Sequence, residues 1–160
     1  MSVKLARIDF RLIHGQVITN WTRILGINEI ITIDEELRHD EFMQDVFKMA
    51  APKGVRIKIL SCEEAAQAQQ QGEFERSSVM LLFKNVESLQ RALKAGVKLD
   101  SVQVGGLGGA ADRKVVHHAI TLDQADLDTL VSIASTGIEV YFQTTADYSK
   151  ATLEEISAKF

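Results

Sequence analysis

Two hydrophobic periods alternate along this chain. Short apolar runs, many of them β-branched, occupy residues 5–8, 29–33, 55–60, 79–83, 101–104 and 138–142, and they predict strands, with 115–120 as a shorter one. Between them, apolar residues recur every three or four positions, which is helical spacing. Val17, Ile18, Trp21, Ile24 and Leu25 mark a helix over 15–25. Phe42, Met43, Val46 and Phe47 mark one over 40–50 with those four residues inward. Further helices follow Ser61, Asn85 and Asp123, each a residue whose side chain can accept from a free helix N–H, and Ser61-Cys62-Glu63-Glu64 has the spacing of a reciprocal capping box. Gly26, Gly96 and Gly137 stop helices, Pro52 and Gly54 prevent continuation of another, and residues 151–158 read as a terminal helix.

Strands alternating with helices predict an α/β fold. We expect one doubly wound domain over 1–160, with a central, mostly parallel sheet of about seven strands and helices on both faces. Val79-Met80-Leu81-Leu82-Phe83 is apolar throughout, as a central strand buried on both faces requires. Such sheets hold ligands beyond the carboxyl ends of their strands.

Composition narrows the function. The 160 residues carry 18 Lys+Arg and 22 Asp+Glu, a formal net charge of −4, which argues against nucleic acid as the main partner. No segment approaches the ~18 consecutive apolar residues of a membrane span, and Met1-Ser2-Val3-Lys4-Leu5 does not read as a secretory signal. A cytoplasmic protein is expected. Cys62 is the single cysteine, so neither an intramolecular disulfide nor a cysteine-cluster metal site is expected.

The chemistry concentrates in Arg7-Ile8-Asp9-Phe10-Arg11-Leu12-Ile13-His14-Gly15-Gln16-Val17. His14 falls between the first strand and the first helix, where a ligand is expected. Free N–H groups near Gly15 and Gln16 would stabilise an anion, and Gly15 lets it approach closely. Arg11 offers a planar, permanently charged set of donors suited to phosphoryl oxygens. Asp9 could orient the imidazole, pair with Arg11, or simply form a turn. A helix-initiating histidine beside a surface arginine would share the same spacing, so the residues alone define an anion site with a candidate nucleophile.

This string resembles the active-site segment of mannose-family enzyme IIB subunits of the bacterial sugar phosphotransferase system. The resemblance continues in Trp21, Ile33-Asp34-Glu35, Val79 through Asn85, and Val102-Gln103-Val104-Gly105-Gly106. It implies that His14 takes a phosphoryl group from the phosphohistidine of enzyme IIA and passes it to a sugar held by the membrane-embedded IIC/IID complex. It makes Arg11 the phosphoryl ligand and Asp9 a loop organiser. No cofactor or metal is then expected, because the phosphoryl group arrives already activated; homo-oligomerisation is left open. Phe10 departs from the polar residue usual in relatives and bears on the pocket rim. The run Gly105-Gly106-Leu107-Gly108-Gly109 is richer in glycine than usual.

Other candidates are weaker. The Gly105–Gly109 loop could cradle a phosphate, as in a nucleotide- or sugar-phosphate-binding enzyme, but it lacks P-loop and dinucleotide spacing. A regulatory module binding partners through the same surface is the non-enzymatic alternative. Lys84, ending the central strand, could add positive charge to the phosphoryl site, and Asp34 could border the cleft or begin a turn. Gly105 and Gly106 could line it. His117-His118 on one strand would point to opposite faces and so bind no common metal. His39 reads as solvated. Cys62 reads as a partly buried thiol, although its helix-start position could lower its pKa. Trp21 and Phe83 read as core.

Overall fold

Nine strands and seven α-helices, with a short 3-10 helix at Glu73–Arg76, occupy residues 3–160, the part of the chain described by the computed structural model. In order they are β1 (Val3–Asp9), α1 (Gly15–Leu25), β2 (Glu29–Ile33), α2 (Glu35–Arg38), α3 (Glu41–Met49), β3 (Arg56–Leu60), α4 (Cys62–Gln70), β4 (Val79–Phe83) and α5 (Val86–Ala95). Then come β5 (Ser101–Gly106), β6 (Lys114–His117), β7 (Ile120–Leu122), α6 (Gln124–Ala134), β8 (Glu139–Phe142), β9 (Ala151–Thr152) and α7 (Leu153–Ser157). Seven strands form one sheet in the order β3-β2-β4-β1-β5-β8-β9, parallel except for β8 with β9. Met1 and Ser2, which begin the segment read above for a signal, lie outside the described residues. Among the described residues no helix is long and apolar enough to cross a membrane.

The strand period divides the core in two. Ala6 and Ile8 of β1 point to one face, where α4, α5, α6 and α7 pack. Leu5 points to the other, where α1 and α2 bury Ile18, Trp21 and Leu37. β4 lies between β2 and β1, and all five of its residues are fully buried. Each such side chain contributes about 1.5–3 kcal/mol by leaving water, which makes this strand the spine of the fold.

The predicted caps form. Ser61 and Glu64 make the reciprocal capping box of α4, while Asn85 and Asp123 accept from the Ser88 and Asp126 amides. Gly26 and Gly96 end their helices in left-handed conformation, where a Cβ would be strained.

Four expectations need correction. The 115–120 run is not one strand: Ala119, at φ +59°, turns the chain, and β6 and β7 pair antiparallel as a separate hairpin. β9 takes the seventh place in the sheet, because Ala151 and Thr152 pair with β8 before the terminal helix starts. The 40–50 helix buries less than its pattern suggested. Met43 and Phe47 pack on the core, whereas Phe42 and Val46 lie exposed, since α3 meets the sheet along a single narrow stripe. A short additional helix, α2, precedes it, and the Asp34 side chain caps it by accepting from Leu37 N at 2.9 Å.

Candidate functional site

Arg7 and Asp9 stand two residues apart on β1 and therefore share a face of the sheet. Arg7 is fully buried, and its Nε and Nη2 donate to Asp9 Oδ2 at 3.3 and 3.1 Å. Its Nη1 donates to Gln103 Oε1 at 2.5 Å and to the Gln143 carbonyl at 3.2 Å. Thus the guanidinium is engaged along its whole edge by β1, β5 and the exit of β8.

Asp9 gathers the loop that follows. Its Oδ1 accepts the Arg11 amide at 3.1 Å, and its Oδ2 lies 3.0 Å from His14 Nε2. Burial pushes this carboxyl up, but the His14 hydrogen bond, the Arg7 charge and the Arg11 amide outweigh burial and hold it below its ordinary value. An ionised carboxylate can only accept, so the proton of that bond sits on His14 Nε2. In the neutral ring Nδ1 then keeps its lone pair.

The loop itself is anchored by apolar side chains. Leu12 and Ile13 are buried beneath it, and Leu12 adopts φ +57°, an uncommon conformation for a branched residue and a costly one. Leu12 N bonds back to Asp9 O at 2.9 Å, closing the turn. His14 follows in extended conformation as the N-cap of α1 but lends no side-chain cap, and the first helical turn carries no acidic residue. That helix end therefore stays favourable for an anion. Gly15 has φ +41° with open space where a Cβ would stand, so backbone conformation, not crowding, favours glycine there.

A cleft of about 520 Å³ opens over this loop between the carboxyl ends of β1 and β5. Arg7, Asp9, Phe10, Arg11, His14 and Val17 form one wall. Gly105 to Gly109, the β6–β7 hairpin and Thr144 form the other. The glycine-rich run is explained by what lies against it. A Cβ on Gly105 would fall inside the Arg7 guanidinium, one on Gly106 would meet Asp9 Oδ1 at 3.2 Å, and one on Gly108 would meet the Phe10 ring at 3.3 Å. These glycines admit side chains from β1 and its loop, so a phosphate cradle is not needed to account for them. Arg113 holds the hairpin by bonding Thr121, Asp123 and Asp126. Trp21 donates from its indole to the Thr144 carbonyl at 3.1 Å, tying α1 to the exit of β8.

The chain as a whole matches a known family. The family model described as "PTS system sorbose subfamily IIB component" matches residues 3–159. The chain belongs to this family of phosphotransferase-system IIB components. The mannose-specific EIIAB component of Escherichia coli K12 is 30% identical over 99% of the chain, which spans about half the length of that relative. The sorbose-specific EIIB component of Klebsiella pneumoniae is 28% identical over 98% of the chain and 96% of its own length. The crystal structure of the IIBSor domain of the Klebsiella pneumoniae sorbose permease superposes with TM-score 0.90 at 27% identity, covering 100% of this chain and 99% of that one. The crystal structure of manxB from Thermoanaerobacter tengcongensis gives 0.86 at 32%, over 99% and 96%.

Within this IIB chain the fold brings together Asp9, Phe10, Arg11, His14, Gly105 and Gly106, with Gly15 and Gln16 at the adjoining start of α1. It does not bring Asp34 and Lys84 to them. Both line a smaller, polar cleft at the ends of β2 and β4, shared with Cys62 and Arg91. There Asp34 is a buried helix cap, while Lys84 is exposed. Glu35, next to Asp34, accepts the Cys62 amide at 2.8 Å, so it too has a structural part. Burial and then that Glu35 carboxylate push the Cys62 thiol up to about 11, opposite to what a helix start alone would do. His117 ends β6 and His118 begins the turn, so they do not stand on opposite faces of one strand as expected; their ring centroids lie 5.3 Å apart, and His118 stacks on Tyr148. Trp21 and Phe83 are core, and His39 is exposed.

Arg7, Gln103 and Gln143 escaped the sequence reading as site residues. The available signal was period two. Arg7-Ile8-Asp9 and Gln103-Val104-Gly105 each alternate polar or small with apolar, which places one polar strip on a single face of an apolar sheet.

Proposed function

We propose that this chain is the sugar-specific phosphoryl carrier of a mannose-type phosphotransferase system. His14 Nδ1 attacks the phosphorus of phospho-IIA, the bond from phosphorus to the donor histidine breaks, and a new N–P bond forms on His14. The sugar hydroxyl, presented by IIC/IID, later displaces the imidazole. The observation that carries this reading is the Asp9–His14 bond, which occupies Nε2 and leaves Nδ1 as the nucleophilic nitrogen of a ring that lines the cleft. Arg11, whose guanidinium has no charged partner among the described residues and lies 6.0 Å from the Phe10 ring, supplies charge to the incoming group together with the open start of α1.

Docking takes place over this cleft with two partners in turn. Phe10 and Val115, both exposed, flank its mouth, so each contact includes an apolar element inside the polar rim expected of a reversible interface. Work of this kind is cytoplasmic, beside the membrane complex.

Incubation with phosphoenolpyruvate and the general phosphotransferase proteins, including a IIA of this family, tests the reading. An acid-labile, base-stable phosphate should appear on the chain and be absent from His14→Ala. Label on another residue, or undiminished label in His14→Ala, overturns it. Sugar phosphorylation by membranes carrying IIC/IID, with and without the protein, separates a carrier from a regulatory module.

A further inference from the structure

The proposed chemistry needs a neutral imidazole, yet Asp9 sets a carboxylate 3.0 Å from His14. An unopposed carboxylate at that distance favours the doubly protonated ring, which has no lone pair with which to attack phosphorus. Resting on the proposed function and deepening it, we propose that Arg7 is a positioning residue whose buried charge cancels that of Asp9, so that Asp9 fixes the tautomer of His14 without holding a second proton on it.

The geometry is specific to this role. Arg7 Nε, Arg7 Nη2 and His14 Nε2 all converge on the same oxygen, Asp9 Oδ2. From the imidazole, the carboxylate and guanidinium read as a closely spaced dipole with no net charge. Arg7 is 0% exposed, so water does not screen its contribution. The remaining cation at the cleft is Arg11, on the exposed side, which keeps net positive charge where a phosphoryl group would arrive.

Among the described residues no other ionisable group lines the cleft. Val17 from α1, Gly105 to Gly109 from the β5 exit, Val115 and Ala119 to Thr121 from the hairpin, and Thr144 from the β8 exit complete the lining, and none of them titrates. Tyr141 acts on Arg7 from β8, and burial pushes its hydroxyl up, which keeps it neutral. Arginine suits the position better than lysine because three separate acceptors, on Asp9, Gln103 and Gln143, engage its planar fork. Gly105 leaves room for that fork.

The test follows the His14 ring by nitrogen-15 NMR titration of unphosphorylated wild type, Arg7→Met, Arg7→Lys and Asp9→Asn, each first shown to be folded by its amide spectrum. Rates of phosphoryl uptake against pH are measured alongside. In Arg7→Met the ring should titrate about one pH unit or more above wild type, a tenfold gain in proton affinity, and the acid limb of uptake should move up equally. Arg7→Lys, which keeps the charge, should recover most of that displacement, and Asp9→Asn should move the titration down. An unmoved titration in folded Arg7→Met overturns the proposal. Should that variant not fold, a titration that fails to fall in Asp9→Asn, or one in Arg7→Lys displaced by a full unit, does the same. A protein that takes up no phosphate at any pH sinks the carrier reading instead, while the ring titration still judges Arg7.

Discussion

Adding one methyl group at Gly105 should be the most damaging small change available to this fold. The Cβ of Gly105→Ala would occupy the space of the Arg7 guanidinium, which is buried and held by Asp9, Gln103 and the Gln143 carbonyl, so yielding means giving up one of those bonds or moving the backbone. If Arg7 shifts but keeps its partners, overpacking of this kind costs about 1–3 kcal/mol. If the Arg7–Asp9 pair separates, an uncompensated buried charge costs about 3–5 kcal/mol. A loss of about 3 kcal/mol is expected, which in a domain of this size lowers the melting temperature by roughly 6–12 °C. Urea and thermal unfolding measure it. Gly109→Ala is the control: Gly109 is exposed with nothing within 4 Å of its would-be Cβ, and a change within about 0.5 kcal/mol is expected. Gly106→Ala, which meets Asp9 Oδ1 at 3.2 Å, should fall between the two. If Gly105→Ala unfolds alongside Gly109→Ala, the close approach of Arg7 is not what selects glycine.

Two further outcomes separate chemistry from scaffold. Arg11→Ala should slow phosphoryl uptake by about a hundredfold or more, as loss of a charged transition-state donor does, while its exposed position keeps the stability change within about 0.5 kcal/mol. Lys84→Ala, altered in the other cleft, should leave uptake within about twofold, and an equal loss in both variants would show that Lys84 reaches the phosphoryl group. Acid should destabilise the protein through carboxylates held below their ordinary values: Asp9, for the causes given above, and Glu64, lowered to about 2 by its hydrogen bonds from Arg38 and Ser61. A depressed carboxylate contributes stability above its unfolded value near 4 and loses it as pH falls through the folded value. Urea midpoints should therefore drop between about pH 4 and 2. Asp9→Asn should flatten that drop, whereas Arg38→Ala should change it less because the Glu64 side chain is 40% exposed and screened by water.

Much of the architecture was legible because it rests on local rules. Val79–Phe83 could be read as the central strand from its unbroken apolarity, and Ser61, Asn85 and Asp123 as helix caps, since caps and strand periods involve residues within a few positions of one another. Phe42 and Val46 were misread as inward because periodicity shows that a helix has an apolar stripe, not how wide a stripe the sheet can cover. The 115–120 run was apolar enough for one strand, and only the backbone bridge of Leu107 to Ala119 and Thr121 and the turn at Ala119 split it into a hairpin. The site divides along the same line. His14, Arg11 and Asp9 lie within six residues, so their association could be inferred from the chain alone. Lys84 and Asp34 also end strands at the carboxyl edge, but strand order sends them to a different crevice.

By itself, then, the order of residues determined an α/β sheet, the helix caps at Ser61, Asn85 and Asp123, and a histidine loop at the end of the first strand, because these depend on side chains close together in sequence. Only the tertiary structure decided that Gln103, 96 residues away, and Gln143, 136 away, would close around Arg7, that Gly105 would make room for it, and that the glycine-rich strand end would face the histidine. Those contacts arise from the pairing of β1, β5 and β8 side by side, and strand neighbours in a parallel sheet are set by crossovers that no local pattern records.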